Sequence, residues 1–135
     1  AATTIALSRG LAVQRAVYIA PPSDPPSYLG KVAGYLGFSE AVVDRTRGRI
    51  ERRYGLPFDS AHGPTLASRL STPLLIVHDV NDREVSVREG ETMAASWPEA
   101  ELVVTEGLGH HRILRDPGVV TTAVDFLTRA GPPIH

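Results

Sequence analysis

The sequence predicts an α/β fold built on a small parallel sheet. Three short apolar runs, Arg15–Ala20, Pro73–His78 and Glu101–Thr105, alternate with stretches of helical periodicity. Strands that alternate with helices pair in parallel through right-handed crossovers. The composition is that of one packed domain. The chain has 135 residues, 42% hydrophobic and 21% charged, which is too apolar for a disordered segment. No apolar run reaches the ~18–20 residues of a membrane-spanning helix.

The elements follow in order. Ala1–Arg9 reads as a helix already under way, stopped by Gly10 in the position that favours a left-handed residue. Arg15–Ala20 is a buried strand cut off by Pro21 and Pro22. Residues 21–27 form a linker. Tyr28, Leu29, Val32, Tyr35 and Leu36 recur at helical spacing up to Gly37, and Ser39 is placed to cap a helix running to about Tyr54. A polar stretch follows, with a short helix over 63–70. Pro73–His78 is a strand buried on both faces. Ser86 and Glu89 form a capping box for a helix whose stripe is Gly90, Met93, Ala94 and Trp97. Glu101–Thr105 is the third strand. Asp116 caps, and Pro117 begins, a last helix carrying Val119, Val120, Ala123, Phe126 and Leu127 on one face. Trp97 and Phe126 are assigned to the core.

Charge narrows the function classes. The net charge is −1, with residues 1–70 at +4 and residues 71–135 at −5. Arg45, Arg49 and Arg52 share a helix face, which reads as solvated because no aromatic platform accompanies it. No nucleic-acid or membrane partner is expected. The absence of cysteine excludes disulfides, thiolate metal sites and cysteine nucleophiles. With no secretory signal over Ala1–Arg9, the expected location is the cytoplasm.

Ligands of open parallel sheets gather at the carboxyl ends of the strands. Two chemically loaded loops leave that edge. His78–Val85 (HDVNDREV) is rich in acids, and Gly107–His111 (GLGHH) carries histidines. Parallel strands lie ~5 Å apart, or ~10 Å if one strand intervenes, so an acid–histidine hydrogen bond across the two loops is feasible. A carboxylate that fixes the tautomer of a histidine equips it as a general base. Asp82 and His110 are the candidates. Asp79 is a weaker alternative to Asp82 and is read as structural. His78 is read as a hydrogen-bonded, partly buried histidine, and His111 and Glu84 as surface residues. Tyr28, Tyr35 and Tyr54 either line a pocket or pack between helices. His78, Asp79, Asp82, His110 and His111 include metal-type donors, but no pair is spaced to fix two ligands on one element, so no metal is expected.

These residues resemble the α/β-hydrolase family. Pro73–Val85 is similar to its seventh strand and acid loop, an apolar strand followed by His-Gly, two residues, Asp, two residues and Val. Asp79 stands here in place of the glycine. Glu101–His110 is similar to the eighth strand and the Gly-x-Gly-His loop of the family histidine, and Asp116–Leu127 to the helix that follows. Arg15–Pro22 is similar to the sixth strand. The resemblance implies a partial α/β-hydrolase fold over residues 1–135, with residues 23–70 as a helical lid-like insert and 71–135 as the C-terminal strand–helix–strand–helix unit.

In that family the chain order is nucleophile, acid, histidine, and the nucleophile lies in Gly-x-Ser-x-Gly. No such motif occurs here. Gly37-Phe-Ser39-Glu-Ala41 is a faint echo on a helical segment, Ser39 and Ser86 are explained as caps, and Ser8 lies inside the first helix. The resemblance therefore implies the C-terminal part of a serine hydrolase, cut behind its nucleophile and inactive alone. The intact parent would take a small ester-like substrate, or a haloalkane if its nucleophile were aspartate, and need no cofactor. The alternative is a non-catalytic binding or dimerisation module. Either way, the edge of Arg15–Ala20 is expected to self-associate.

Overall fold

The computed structural model describes residues 2–55, 57, 60 and 62–130. Along the chain lie α1 (Ala2–Ser8), β1 (Ala16–Ile19), α2 (Pro25–Tyr35), α3 (Glu40–Tyr54), α4 (Gly63–Ala67), β2 (Leu74–Asp79), α5 (Val87–Ser96), β3 (Ala100–Thr105), α6 (Gly109–Arg112) and α7 (Pro117–Thr128). Ala1, expected in the first helix, lies outside the described residues, as do 131–135.

The three strands form one parallel sheet in the order β1-β2-β3. β2 is buried at every position, as its unbroken apolar run requires. Its side chains alternate between two cores. Leu74 and Ile76 pack with Leu7, Ala67, Leu70, Met93 and Trp97 beneath α1, α4 and α5. Leu75 and Val77 pack with Ile113, Val119 and Phe126 beneath α6 and α7. Each fully buried aliphatic side chain contributes about 1.5–3 kcal/mol of transfer free energy, so the sheet is held mainly by its middle strand. Trp97 lies edge-on to Tyr18 at 5.9 Å between ring centroids, and its indole N–H donates to the Thr72 carbonyl at 2.8 Å. Among the described residues no helix is long and apolar enough to cross a membrane.

Several local expectations are corrected. α2 begins at Pro25, inside the expected linker, because the first turn of a helix needs no N–H from proline. Ser39 occupies the cap position of α3, yet its hydroxyl makes no capping bond. α4 is confined to Gly63–Ala67. The capping box of α5 is only half formed. Ser86 Oγ accepts from the Arg88 amide at 3.4 Å, but Glu89 does not reach back. Instead its Oε2 accepts from the Ser23 amide at 3.0 Å and the Ser23 hydroxyl at 2.5 Å. The tertiary partner offers two donors where the cap offers one.

That contact defines the stem of the helical insert. The Gly63 amide donates to the Ser23 carbonyl at 3.0 Å, so the chain leaves and re-enters the core at one point. Gly63 is required there, since a Cβ would stand 2.3 Å from the Ser23 oxygen. Between these ends, α3 buries no residue. Its arginines face solvent, with Arg47 and Glu51 paired along the helix.

Candidate active site

The acid loop and the histidine loop leave β2 and β3 side by side, in the paired register His78–Val104 and Asp79–Thr105. Two side chains stitch them together. Asp79 Oδ2 accepts from the Thr105 hydroxyl at 2.8 Å and the Leu108 amide at 3.0 Å, while Oδ1 accepts from the Asn81 amide at 2.9 Å. Asn81 Oδ1 accepts from the Gly107 amide at 2.8 Å. Burial by itself raises the Asp79 carboxyl. The amides of Gly109, Leu108 and Asn81 and the Thr105 hydroxyl outweigh it and hold the group at about 2. Asp79 is therefore a structural anion. Asn81 and Thr105 escaped the sequence reading, although a Thr at a strand end facing an Asp-x-Asn turn was the signal for them.

On this stitched frame Asp82 and His110 meet. His110 Nδ1 lies 2.7 Å from Asp82 Oδ2. Asp82 Oδ1 accepts from the amides of Glu84 and Val85, both at 2.8 Å. The Asp82 side chain is inaccessible and that of His110 is 27% exposed, so the carboxylate is shielded while the imidazole keeps an open edge. Burial pushes the Asp82 carboxyl up. The Val85 amide, the His110 ring, the Glu84 amide and the charge of His110 together bring it below its ordinary value. An ionised carboxylate only accepts, so Nδ1 of His110 carries the proton and Nε2 presents the lone pair.

Within the histidine loop the chain forms the short helix α6. The turn closes because Arg112 Nε donates to the Leu108 carbonyl at 3.2 Å and Arg112 Nη2 to that of Gly107, both within five residues along the chain. Gly107 and Gly109 adopt φ +83° and +63°, the left-handed region that glycine enters without a Cβ penalty. His110 then borders a cleft of about 630 Å³ against α2, walled by Tyr28, Val32, Tyr35, Leu36 and Val85, with Arg83 and Lys31 also lining it. Tyr28 donates to the Glu84 carbonyl, which ties α2 to the acid loop. Tyr54 is exposed and lines no part of this cleft.

The remaining candidates fall elsewhere. His111 lies at the surface, 2.7 Å from Glu84 Oε1. His78 is fully buried, not partly, and its Nε2 is bonded to the Val85 carbonyl at 2.9 Å, while Nδ1 has no partner among the described residues. Among the described residues no serine hydroxyl bonds to His110. Ser8 donates to the Ile5 carbonyl, and Ser86 caps α5. Among the described residues no cluster of three or more metal-type donors is found.

Asp82 and His110 thus meet at the carboxyl edge of the parallel sheet, where His110 borders the cleft against α2. Residues 44–134 match the family model described as TAP-like protein, and the chain belongs to this family of α/β-hydrolases. No match is found among curated proteins. Among solved structures the chain is similar to Rv0554 from Mycobacterium tuberculosis, with 14% identity and TM-score 0.65 over 97% of this chain and 62% of that one. It is also similar to a hydrolase from Pseudomonas aeruginosa, with 22% identity and TM-score 0.57 over 93% and 59%. A third likeness is to the acylaminoacyl peptidase of Pyrococcus horikoshii, with 11% identity and TM-score 0.64 over 98% and 23%. At these identities the likeness is one of fold. The chain spans 62% of the length of the Rv0554 chain, so its three-stranded sheet corresponds to part of the full fold.

Proposed function

We propose that this chain supplies the acid and the histidine of a nucleophile–histidine–acid hydrolase acting on small ester-like substrates. The observation that carries the proposal is the 2.7 Å contact of Nδ1 of His110, a residue lining the cleft, with buried Asp82, which leaves Nε2 as the basic nitrogen. The nucleophilic hydroxyl and the oxyanion donors belong, in this reading, to a segment preceding these 135 residues in a longer protein. By themselves the 135 residues are expected to be inactive.

The chemistry follows from the tautomer. Nε2 of His110 takes the proton of the nucleophile as its oxygen attacks the ester carbonyl. The resulting imidazolium lies against the Asp82 carboxylate, which stabilises it without taking its proton. Nε2 then gives that proton to the departing alkoxide. In the second half water attacks the acyl-enzyme, Nε2 takes a proton from the water, and it returns that proton to the nucleophile. The walls of Tyr28, Val32 and Leu36 suit an apolar acyl or alcohol group.

The test uses the chain joined to its upstream segment, with p-nitrophenyl acetate as substrate. His110→Ala is expected to lower kcat by roughly 10⁶-fold, and Asp82→Asn by less. An active His110→Ala enzyme would overturn the proposal. An aspartate at the nucleophile position, with alkyl halide turnover in place of ester cleavage, would overturn the substrate class while keeping the couple.

A further inference from the structure

Asp82 and His110 account for the proposed chemistry, but a fully buried histidine beside them has no role in it. His78 is the fifth residue of β2, on the face shared with Leu74 and Ile76, and is fully buried. A carbonyl can only accept, so its 2.9 Å contact with the Val85 carbonyl places the ring proton on Nε2. Val85 is also the residue whose amide donates to Asp82 Oδ1 at 2.8 Å. One residue thus has its carbonyl pinned to the sheet by His78 and its amide on the acid. The same Nε2 lies 3.6 Å from Asp82 Oδ2, the oxygen that faces His110. That is too long for a hydrogen bond, yet it puts a donor dipole beside the carboxylate.

The cost of this arrangement is visible. Among the described residues His78 Nδ1 is buried with no partner, a state that native interiors mostly avoid. α5 also carries a glycine where the ring packs, since a Cβ on Gly90 would stand 2.6 Å from Nδ1. An aliphatic residue would fill the strand position without an orphaned nitrogen. What it would not supply is the Nε2 donor.

We infer that His78 is a positioning residue. It fixes Val85, and through Val85 the rotation of Asp82 that aims Oδ2 at His110, with Gly90 as the slot for its ring. The inference rests on the reading of Asp82 and His110 as an acid–histidine couple. It adds a third member that touches neither substrate nor nucleophile.

The experiment is proton and nitrogen NMR on the 135-residue chain. In the wild type, His78 should show the pattern of a ring protonated on Nε2. A far-downfield proton should report the His110 Nδ1–Asp82 bond, assigned by its disappearance in His110→Gln. His78→Phe keeps the ring volume and removes the donor. The downfield signal should be lost, while the Trp97 indole proton, bound to Thr72, keeps its shift and shows that the core is intact. His78→Gln offers a side-chain N–H to the Val85 carbonyl and should restore the signal, which a merely space-filling role would not require. A folded His78→Phe chain that retains the downfield proton overturns the inference, as does a wild-type His78 protonated on Nδ1. If His78→Phe does not fold, the wild-type tautomer and the Gln variant decide the matter. Because no turnover is measured, an upstream-extended protein without esterase activity would remove the hydrolase reading and leave these signals unchanged.

Discussion

At the scale of single residues, Asp79 shows how a departure from a pattern finds a use. Where the family pattern has glycine, this chain has a carboxylate that gathers amides and a hydroxyl from both site loops. Its folded value of about 2 lies below the ordinary ~3.9 of an unfolded aspartate. The group therefore contributes stability that is fully present above about pH 4 and lost as pH falls toward 2. Asp79→Ala leaves several buried donors without an acceptor and should cost about 2–4 kcal/mol at pH 7. Urea unfolding of both proteins checks this, and the gap between them should narrow as the pH is lowered from 5 to 2. A gap independent of pH would mean that the anion is not what holds the loops together.

At the scale of elements, the insert hangs on one stem. Glu89 of α5 grips Ser23 through two donors and lies 3.5 Å from Lys31 of α2. Burial raises the Glu89 carboxyl, but the Ser23 donors and Lys31 bring it below its ordinary value, so it is ionised at neutral pH. Glu89→Ala strips the acceptor from the Ser23 amide and should free the entry of α2 at a cost of about 1–3 kcal/mol. Limited proteolysis should then cut faster within residues 24–62, while amide exchange in β2 stays slow. Equal loosening of sheet and insert would place Glu89 in the global core instead.

The same elements show what was legible. The apolar runs of β1, β2 and β3 announced a sheet because burial is written in composition. Asp82 and His110 were legible because a strand end and a glycine-flanked histidine fix position along the chain. The partner of Glu89 and the orphaned Nδ1 of His78 were not. Each depends on which distant atom arrives first, and a local capping signal loses when a tertiary site offers more donors.

At the scale of the whole molecule, the sheet has two edges that differ in protection. β3 is bracketed by charge, with Glu99 and Glu106 at its ends and Glu101 within it paired to Arg129 at 2.7 Å. β1 carries no charge from Ala16 to Ser23, and Leu11 and Val13 near it are 49% and 40% exposed. Charged edges resist pairing with another chain and apolar ones invite it. The amides of Ala16 and Ala20 donate to Pro73 and Val77 of the β2 segment, so by the two-residue alternation of a parallel ladder those of Val17 and Ile19 face away. The 135 residues expressed alone should therefore associate through β1, with a sedimentation mass that rises with concentration. Val17→Pro removes an outward donor without touching the ladder to β2, and should return the chain to a monomer with unchanged circular dichroism. In an upstream-extended protein with further strands beside β1, the edge would be covered and Val17→Pro would instead cost stability. A wild-type chain that stays monomeric at high micromolar concentration would show that β1 is not an open edge in solution.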